Sequence, residues 1–386
     1  MLAQYTSDQF LRRLDHLDSG TLKVTTPDGK VRIFQGKNEA GEASIEIRDW
    51  RVVGNMIRKG DIGFAEDYRA GHWDSDDLAS LMTVGLINRR ALDQLVLGNK
   101  FSRFFSMMSY LLRVNSLKGS KKNIHAHYDI GNEFYKLWLD PTMTYSSAIF
   151  KNENEALQSA QHNKYDRLIE GFDQNSGKLL EIGCGWGGFA ERAQEKGDFD
   201  IKGITLSQEQ HDFAKERLGS SADIVIEDYR HQKGKFNHIV SIEMFEAVGE
   251  QYWQTYFSKI GSLLNEKGKA LIQTITINDQ DFPRYRKGGD FIRSYIFPGG
   301  MLPSPSRFRE EVEKSGLKAG NEFHFGQDYA LTLEHWLKNF DAKKEEIKKL
   351  GFDEEFMRLW RFYLAACIAG FRSGRTDVMQ VELSHA

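Results

Sequence analysis

A chain of 386 residues with a formal net charge of −3 is long enough for one large domain or two, and it lacks the basic balance of a general nucleic-acid binder. Its two cysteines, Cys184 and Cys367, stand far apart, which suits a reduced compartment better than a disulfide scaffold. The opening Met1-Leu-Ala-Gln-Tyr-Thr has no basic segment leading into an apolar core, and no apolar run approaches the roughly 20 residues that span a bilayer. A cytoplasmic location is the expectation.

Residues 1–110 read as a small α+β domain. Thr21-Leu-Lys-Val-Thr-Thr alternates, Pro27-Asp28-Gly29 turns, and Lys30-Val-Arg-Ile-Phe34 alternates back, a hairpin pattern. Ser44–Arg48 is a third candidate strand, and Asp49 is placed to cap a helix that ends near Gly60. A longer helical pattern over Leu86–Arg113 carries Phe101, Phe104, Phe105, Met107, Met108 and Tyr110, with Lys118, Lys121 and Lys122 behind it. It reads either as a core-facing helix with a solvated lysine fringe or as an apolar face held against an anionic membrane.

Residues 111–155 read as a linker and a lid, polar and aromatic side chains concentrated in a loop before the next domain. His125, His127 and Asp129 lack the second cluster at ligand spacing that a metal centre needs, so no metal is assigned. Residues 156–386 form a third segment, in which helix and strand patterns alternate. Lys178–Ile182 is a buried strand, followed by the glycine turn Gly183-Cys184-Gly185-Trp186-Gly187-Gly188 and a helix. Further strands follow at Asp200–Leu206, Asp223–Ile226, Phe236–Ile242 and Lys269–Ile275, with helices such as Gln208–Leu218 and Gln251–Leu264 between them. This is an α/β, doubly wound (Rossmann-like) sheet, whose ligands bind at the carboxyl ends of the strands. Polar residues gather there: Glu181, Thr205-Leu206-Ser207, Glu227-Asp228, Glu243–Glu246 and Gln273.

The glycine turn alone is compatible with several nucleotides. A dinucleotide site expects Gly-x-Gly-x-x-Gly and an acidic residue ending the second strand. Here the spacing is Gly183-x-Gly185-x-Gly187, the second strand ends in Thr205-Leu206-Ser207, and the acids Glu227 and Asp228 end the third. S-adenosyl-L-methionine (SAM) suits that pattern better, since its zwitterionic methionine end needs a glycine turn and acceptors but brings no pyrophosphate.

Several motifs in order then resemble one family. They are His-Tyr-Asp-Ile-Gly-Asn at 127–132, Met-Thr-Tyr-Ser-Ser at 143–147, Glu-Ile-Gly-Cys-Gly-Trp-Gly-Gly at 181–188 and Thr-Leu-Ser at 205–207 with Gln210. Met-Phe-Glu-Ala-Val-Gly at 244–249, Tyr-Ile-Phe-Pro-Gly-Gly at 295–300, Phe-Gly-Gln-Asp-Tyr at 325–329 and Cys-Ile-Ala-Gly-Phe-Arg at 367–372 complete the set. Together they resemble the cyclopropane fatty acid synthases, the family that includes the mycolic acid methyltransferases. The resemblance implies methyl transfer from SAM to a cis double bond of a membrane phospholipid's acyl chain, with a carbocation that loses a proton and closes to a ring. It also implies peripheral contact with the inner face of a membrane, a homodimer, and lipid-binding or dimer-forming work for residues 1–110.

By the same resemblance, SAM would be held by Tyr145, Ser146, Gly183, Cys184, Gly185, Gly187, Thr205, Leu206, Gln210, Glu227 and Asp228. Family members hold a bicarbonate ion as the base, and its ligands map to Ser147, Glu246, Gln273, Ile275 and Tyr329. His127 and Cys367 join the catalytic candidates, although Cys367 also reads as a small buried residue. Two positions depart from the family pattern: Ser147 stands where Cys is usual and Gln273 where His is usual. Ala247 likewise stands where the synthases usually carry His. Neither Ser nor Gln brings an imidazole's charge or proton exchange. Three alternatives to ring closure follow: methylation without a ring, methylation of a small soluble acceptor, or a lipid-binding protein that has lost catalysis. Aromatic residues after the sheet core, Tyr295, Phe297, Tyr329, Trp336, Trp360, Phe362 and Tyr363, are candidates to line an acyl channel.

Overall fold

A computed structural model describes residues 2–89 and 130–386. His127 and nearly all of the Leu86–Arg113 pattern, with the lysines behind it, lie outside these residues. The chain divides into two compact units that interleave in sequence. One holds the described part of Met1–Leu112 with Lys287–Ile296 and Asp341–Arg375; the other holds the rest. The segments 287–296 and 341–375, expected with the sheet domain, therefore pack with the N-terminal elements. The reason is visible in their contacts.

In the first unit, β1 (Ser19–Thr25) pairs antiparallel with β2 (Val31–Gln35) around the Gly29 turn and parallel with β3 (Asn38–Ile47), and β4 (Trp73–Asp74) closes the sheet. The helix Arg51–Lys59 ends at Gly60 with φ +63°, and Asp49 accepts the backbone N–H of Arg51 at 2.8 Å. The late helix Glu354–Arg372 supplies Phe362 to a ring cluster with Phe64, Tyr68 and Trp73. Its Arg358 donates to the carbonyls of Tyr68 and Trp73 and lies over the Tyr68 ring, 3.9 Å from its centroid. An aromatic cluster with a guanidinium bound into it is what draws residues 341–375 away from the sheet in their own stretch of sequence.

The second unit is a seven-stranded sheet in the order β10-β11-β9-β8-β5-β6-β7. Its parallel part is β5 (Ser176–Ile182), β6 (Asp198–Thr205), β7 (Ala222–Ile226), β8 (Phe236–Ile242) and β9 (Leu264–Ile277). Two antiparallel strands, β10 (Leu317–His324) and β11 (Thr376–His385), extend it past β9. Leu179, Ile201, Ile224 and Val240 pack with Tyr165, Leu168, Phe189 and Ala214 of the flanking helices to form the core. From β5 the chain winds one way to β6 and β7, and then returns to β8 and β9 on the other side of β5. The order reverses between β5 and β8, so a crevice opens outside the carboxyl ends of those two strands. No helix among the described residues is long and apolar enough to cross a membrane.

Candidate active site

The glycine turn follows β5 directly. Gly183, Gly185 and Gly187 have φ of +81°, +52° and +84°, a region that L side chains rarely adopt. The three serve different ends. A Cβ on Gly183 would meet Met244, and one on Gly187 would meet Leu218 and Ala214, so both are required by packing. A Cβ on Gly185 would meet nothing within 4 Å, so this glycine looks onto open space through which a ligand can approach the backbone. The helix Gly188–Lys196 starts immediately after the turn, and a helix start favours a ligand group that accepts hydrogen bonds.

Around that turn, Thr205 Oγ1 donates to Gln210 Oε1 at 2.8 Å, and Ser207 caps the helix Gln208–Leu218. Leu206 is partly buried and Cys184 buried, with a thiol held well up by desolvation and then by the charge of Glu181. Glu227 pairs with Lys202 on the neighbouring strand at 3.2 Å. Asp228 is taken by its own loop, since Arg230 donates to both carboxylate oxygens at 2.8 and 2.6 Å. The Asp228 carboxyl is shifted down: burial raises it, but the Arg230 bonds and charge outweigh burial.

Opposite the turn, the loop 139–150 brings Tyr145, Ser146 and Ser147 inward. Tyr145 sits in a ring cluster with Tyr135, Trp138 and Trp336, at centroid distances of 5.6, 5.6 and 5.2 Å. Tyr329 meets the edge of Trp336 at 6.1 Å and Trp186 of the glycine turn meets Tyr135 at 5.1 Å. Ser146 Oγ accepts a hydrogen bond from Lys164 Nζ at 2.6 Å. Lys164 is fully buried, and desolvation brings its ammonium down to about 7 against the opposing charges of Glu243, Asp140 and Glu181.

The residues assigned to a bound anion do come together, but on a side chain of the protein. Ser147 N–H donates to Glu243 Oε1 at 2.9 Å, Gln273 Nε2 to the same oxygen at 2.7 Å, and the Tyr329 hydroxyl to Glu243 Oε2 at 2.6 Å. The Ser147 hydroxyl donates to the carbonyl of Ala148 at 3.0 Å. Gln380 on β11 donates to Gln273 Oε1 at 2.9 Å, which fixes the amide so that its NH2 faces Glu243. Glu243 itself holds φ +51°, one of two non-glycine residues with positive φ among those described; the other is Met143, in the loop that carries Tyr145. The Glu243 residue keeps a minor exposed part, yet burial of its carboxyl is the largest influence and moves it up, against the pull of Tyr329, Ser147, Gln273 and Lys164.

Glu246 stands apart from that group. Its Oε1 accepts the backbone N–H of Ile275 and the hydroxyl of Thr274, and its Oε2 is shut off from solvent with no hydrogen-bond partner. Burial and then the neighbouring charge of Glu243 push it up to about 8, so it carries a proton near neutrality. Cys367 belongs to the other unit, on the helix Glu354–Arg372, where desolvation and then Asp290 hold its thiol far above the usual range, the opposite of an activated nucleophile. Of the late aromatics, Tyr329 and Trp336 lie with the sheet unit, whereas Tyr295, Trp360, Phe362 and Tyr363 lie in the first unit. Glu243 and Lys164 are the residues that sequence reasoning did not assign. The one signal for Glu243 was its place at the end of the strand beside β5.

A doubly wound sheet with an open glycine turn after its central strand and acidic strand ends around it defines the class: a SAM-dependent methyltransferase. The profile of the mycolic acid cyclopropane synthetase family matches residues 115–381, and the chain belongs to that family. It is 36% identical over 342 residues to the tuberculostearic acid methyltransferase UfaA1 of Mycobacterium tuberculosis, covering 84% of this chain and 78% of that protein. It is 32% identical over 355 residues to the cyclopropane-fatty-acyl-phospholipid synthase of Escherichia coli K12, covering 90% and 89%. The crystal structure of mycolic acid cyclopropane synthase CmaA1 with SAH and CTAB superposes with a TM-score of 0.63 at 33% identity, covering 68% of this chain and 97% of that one.

The two groups that the family implies fare differently. The open space at Gly185 and the helix start behind it fit SAM, which is the cofactor. Bicarbonate does not fit: the N–H of Ser147, the amide of Gln273 and the hydroxyl of Tyr329 already serve Glu243, and the N–H of Ile275 already serves Glu246.

Proposed function

We propose that the enzyme methylates the double bond of an unsaturated acyl chain in a membrane phospholipid. The observation that carries this reading is the chain of rings Trp138, Tyr145, Trp336 and Tyr329, which ends in the hydroxyl that Tyr329 donates to the Glu243 carboxylate. Bound SAM supplies an electrophilic methyl and takes up the electrons of the broken C–S bond. An alkene acceptor is uncharged, needs no deprotonation before attack, and leaves a cation on carbon. Aromatic faces attract that cation, and a carboxylate beside them stabilises it and can take its proton. An apolar, ring-lined slot also keeps water from quenching the cation.

Methylation without ring closure is the second reading. It is supported by Ser147 and Gln273, where ring-forming relatives usually carry Cys and His, and by the similarity to a tuberculostearic acid methyltransferase. Residues 1–110 and the aromatic and basic stretch from Phe101 to Lys122 support contact with an anionic membrane surface and a homodimer as the working form. The test is expression in a host that lacks its own synthase, followed by mass spectrometry of the fatty acids. A gain of one CH2 in chains that no longer take up hydrogen means a ring. The same gain with unsaturation kept means methylation. Unsaturated chains of unchanged mass, with SAM binding intact, would sink both readings.

A further inference from the structure

Glu243 ends β8, the strand that flanks β5 and its glycine turn at the point where the sheet order reverses. We propose that Glu243 is the general base of the reaction, a carboxylate of the chain itself standing in for the bound bicarbonate that the family resemblance implies. The proposal rests on the reading of the site as one that methylates an alkene.

Four observations carry it. Both carboxylate oxygens are held by donors from three separate elements, the loop at Ser147, β9 at Gln273 and the helix at Tyr329, so the group is fixed in position and rotation. The donors are themselves fixed, since Gln380 sets the Gln273 amide and Ser147 N–H is part of the main chain. The backbone of Glu243 is kept at φ +51°, a strained conformation for a residue other than glycine that persists only where its surroundings enforce it. Finally, the N–H of Ser147, the Gln273 amide and the Tyr329 hydroxyl, three groups assigned to bicarbonate, already serve the Glu243 carboxylate, and a second anion there would set two like charges on one set of donors.

The chemistry balances without a further reagent. The alkene π pair forms the new carbon–methyl bond as the methyl–sulfur bond breaks, its electrons remaining on sulfur. The positive charge passes from sulfur to the second alkene carbon. Glu243 then takes a proton from the methylated chain, and the freed C–H pair closes a carbon–carbon bond at the cationic centre, as a ring or as a new double bond. The protonated Glu243 returns its proton to water when the product leaves. Tyr329, Gln273 and the Ser147 N–H act through Glu243 and are positioning groups.

The experiment uses the purified full chain, SAM, and vesicles of phospholipid with unsaturated acyl chains, in buffer freed of carbon dioxide. Wild-type protein is expected to turn over at the same rate with and without added bicarbonate. Glu243→Gln keeps the shape but not the basicity and should lose at least about 100-fold in kcat, the usual worth of a general base, while its affinity for SAM by calorimetry stays within about twofold. Glu243→Gly suits the positive φ and leaves a space the size of a carboxylate; millimolar bicarbonate or formate should restore at least about tenfold of its activity, and should restore none to Glu243→Gln. A wild-type enzyme that stops without bicarbonate, a Glu243→Gln variant that keeps more than about a tenth of the rate, or a Glu243→Gly variant that neither anion revives would overturn the assignment. A wild-type enzyme that labels no acyl chain under any of these conditions would instead refute the alkene reading itself.

Discussion

Tyr329→Phe isolates one bond in the site. The substitution keeps the ring that meets Trp336 and removes only the hydroxyl that donates to Glu243 Oε2 at 2.6 Å. A hydrogen bond to an ionised partner is worth roughly 1.5–3 kcal/mol, and at about 1.4 kcal/mol per pKa unit its loss should raise the Glu243 carboxyl by about one to two units. The Glu243 carboxyl already sits above the ordinary range through burial, with the Tyr329 bond among the influences holding it down. The sign follows. The bond favours the ionised form, so the variant is destabilised most above the Glu243 pKa, and the difference from wild type shrinks as pH falls through it and the carboxyl protonates in both proteins. In catalysis, the acid limb of the kcat/KM profile should move up by the same one to two units, with the plateau less affected. The assays are initial rates on unsaturated phospholipid vesicles and urea unfolding, both across the acid range. An acid limb that stays in place, or a stability loss equal at every pH, would refute the idea that Tyr329 acts through the ionised Glu243.

Glu246→Gln should change the pH dependence of stability. Folded Glu246 sits at about 8 against an unfolded value near 4.5, so the folded state holds a proton that the unfolded state has lost between these values, and stability attributable to Glu246 declines as pH rises through that window. Glutamine can still accept from Ile275 N–H and Thr274 and does not ionise, so the Tm of the variant relative to wild type should climb from the acid to the alkaline side of the window; a constant difference would contradict a protonated Glu246. Gly185→Ala should cost about 1–2 kcal/mol of stability from its left-handed backbone, and its methyl should project into the open space before the turn and weaken SAM binding at least tenfold by calorimetry. Unchanged affinity would remove Gly185 from the cofactor site. Gln380→Leu leaves Gln273 Oε1 buried without its donor and should cost about 1–3 kcal/mol in urea unfolding, together with a fall in kcat as the amide loses its fixed rotation. A fully active variant would mean that the Gln273 amide needs no support.

How far the sequence carried these conclusions depended on whether the signal was local. Leu179 and Ile239 lie in short apolar runs, each within a parallel strand of the sheet, because burial on both faces leaves a continuous apolar stretch, whereas Ile201 and Ile224 belong to strands of mixed burial nearer the sheet edge. β10 and β11 escaped because Lys318, Asn321 and Glu322 interrupt one, and because Asp377, Gln380 and Glu382 break up the apolar residues of the other although its middle is buried. The segment 341–375 reads as helix in any context, and nothing in its periodicity says that Phe362 and Arg358 will find Tyr68 and Trp73. The site divides in the same way. Motif matching named Ser147, Gln273 and Tyr329 as partners of one anion, and in the structure all three donate to Glu243. Spacing along the chain cannot show that a backbone N–H, an amide and a phenol from three distant elements all point at residue 243. At Ser147 the group that reaches Glu243 is the main-chain N–H, while the hydroxyl donates to Ala148, a distinction that residue type alone does not carry.

The most direct test of the account is transfer of isotopically labelled methyl from SAM to phospholipid vesicles in bicarbonate-free buffer, comparing unsaturated with saturated acyl chains. The account predicts label in the acyl chains of the unsaturated vesicles alone, at a rate indifferent to added bicarbonate. Label in the headgroup, in saturated chains or in a soluble acceptor, or transfer that starts only when bicarbonate is supplied, would contradict it.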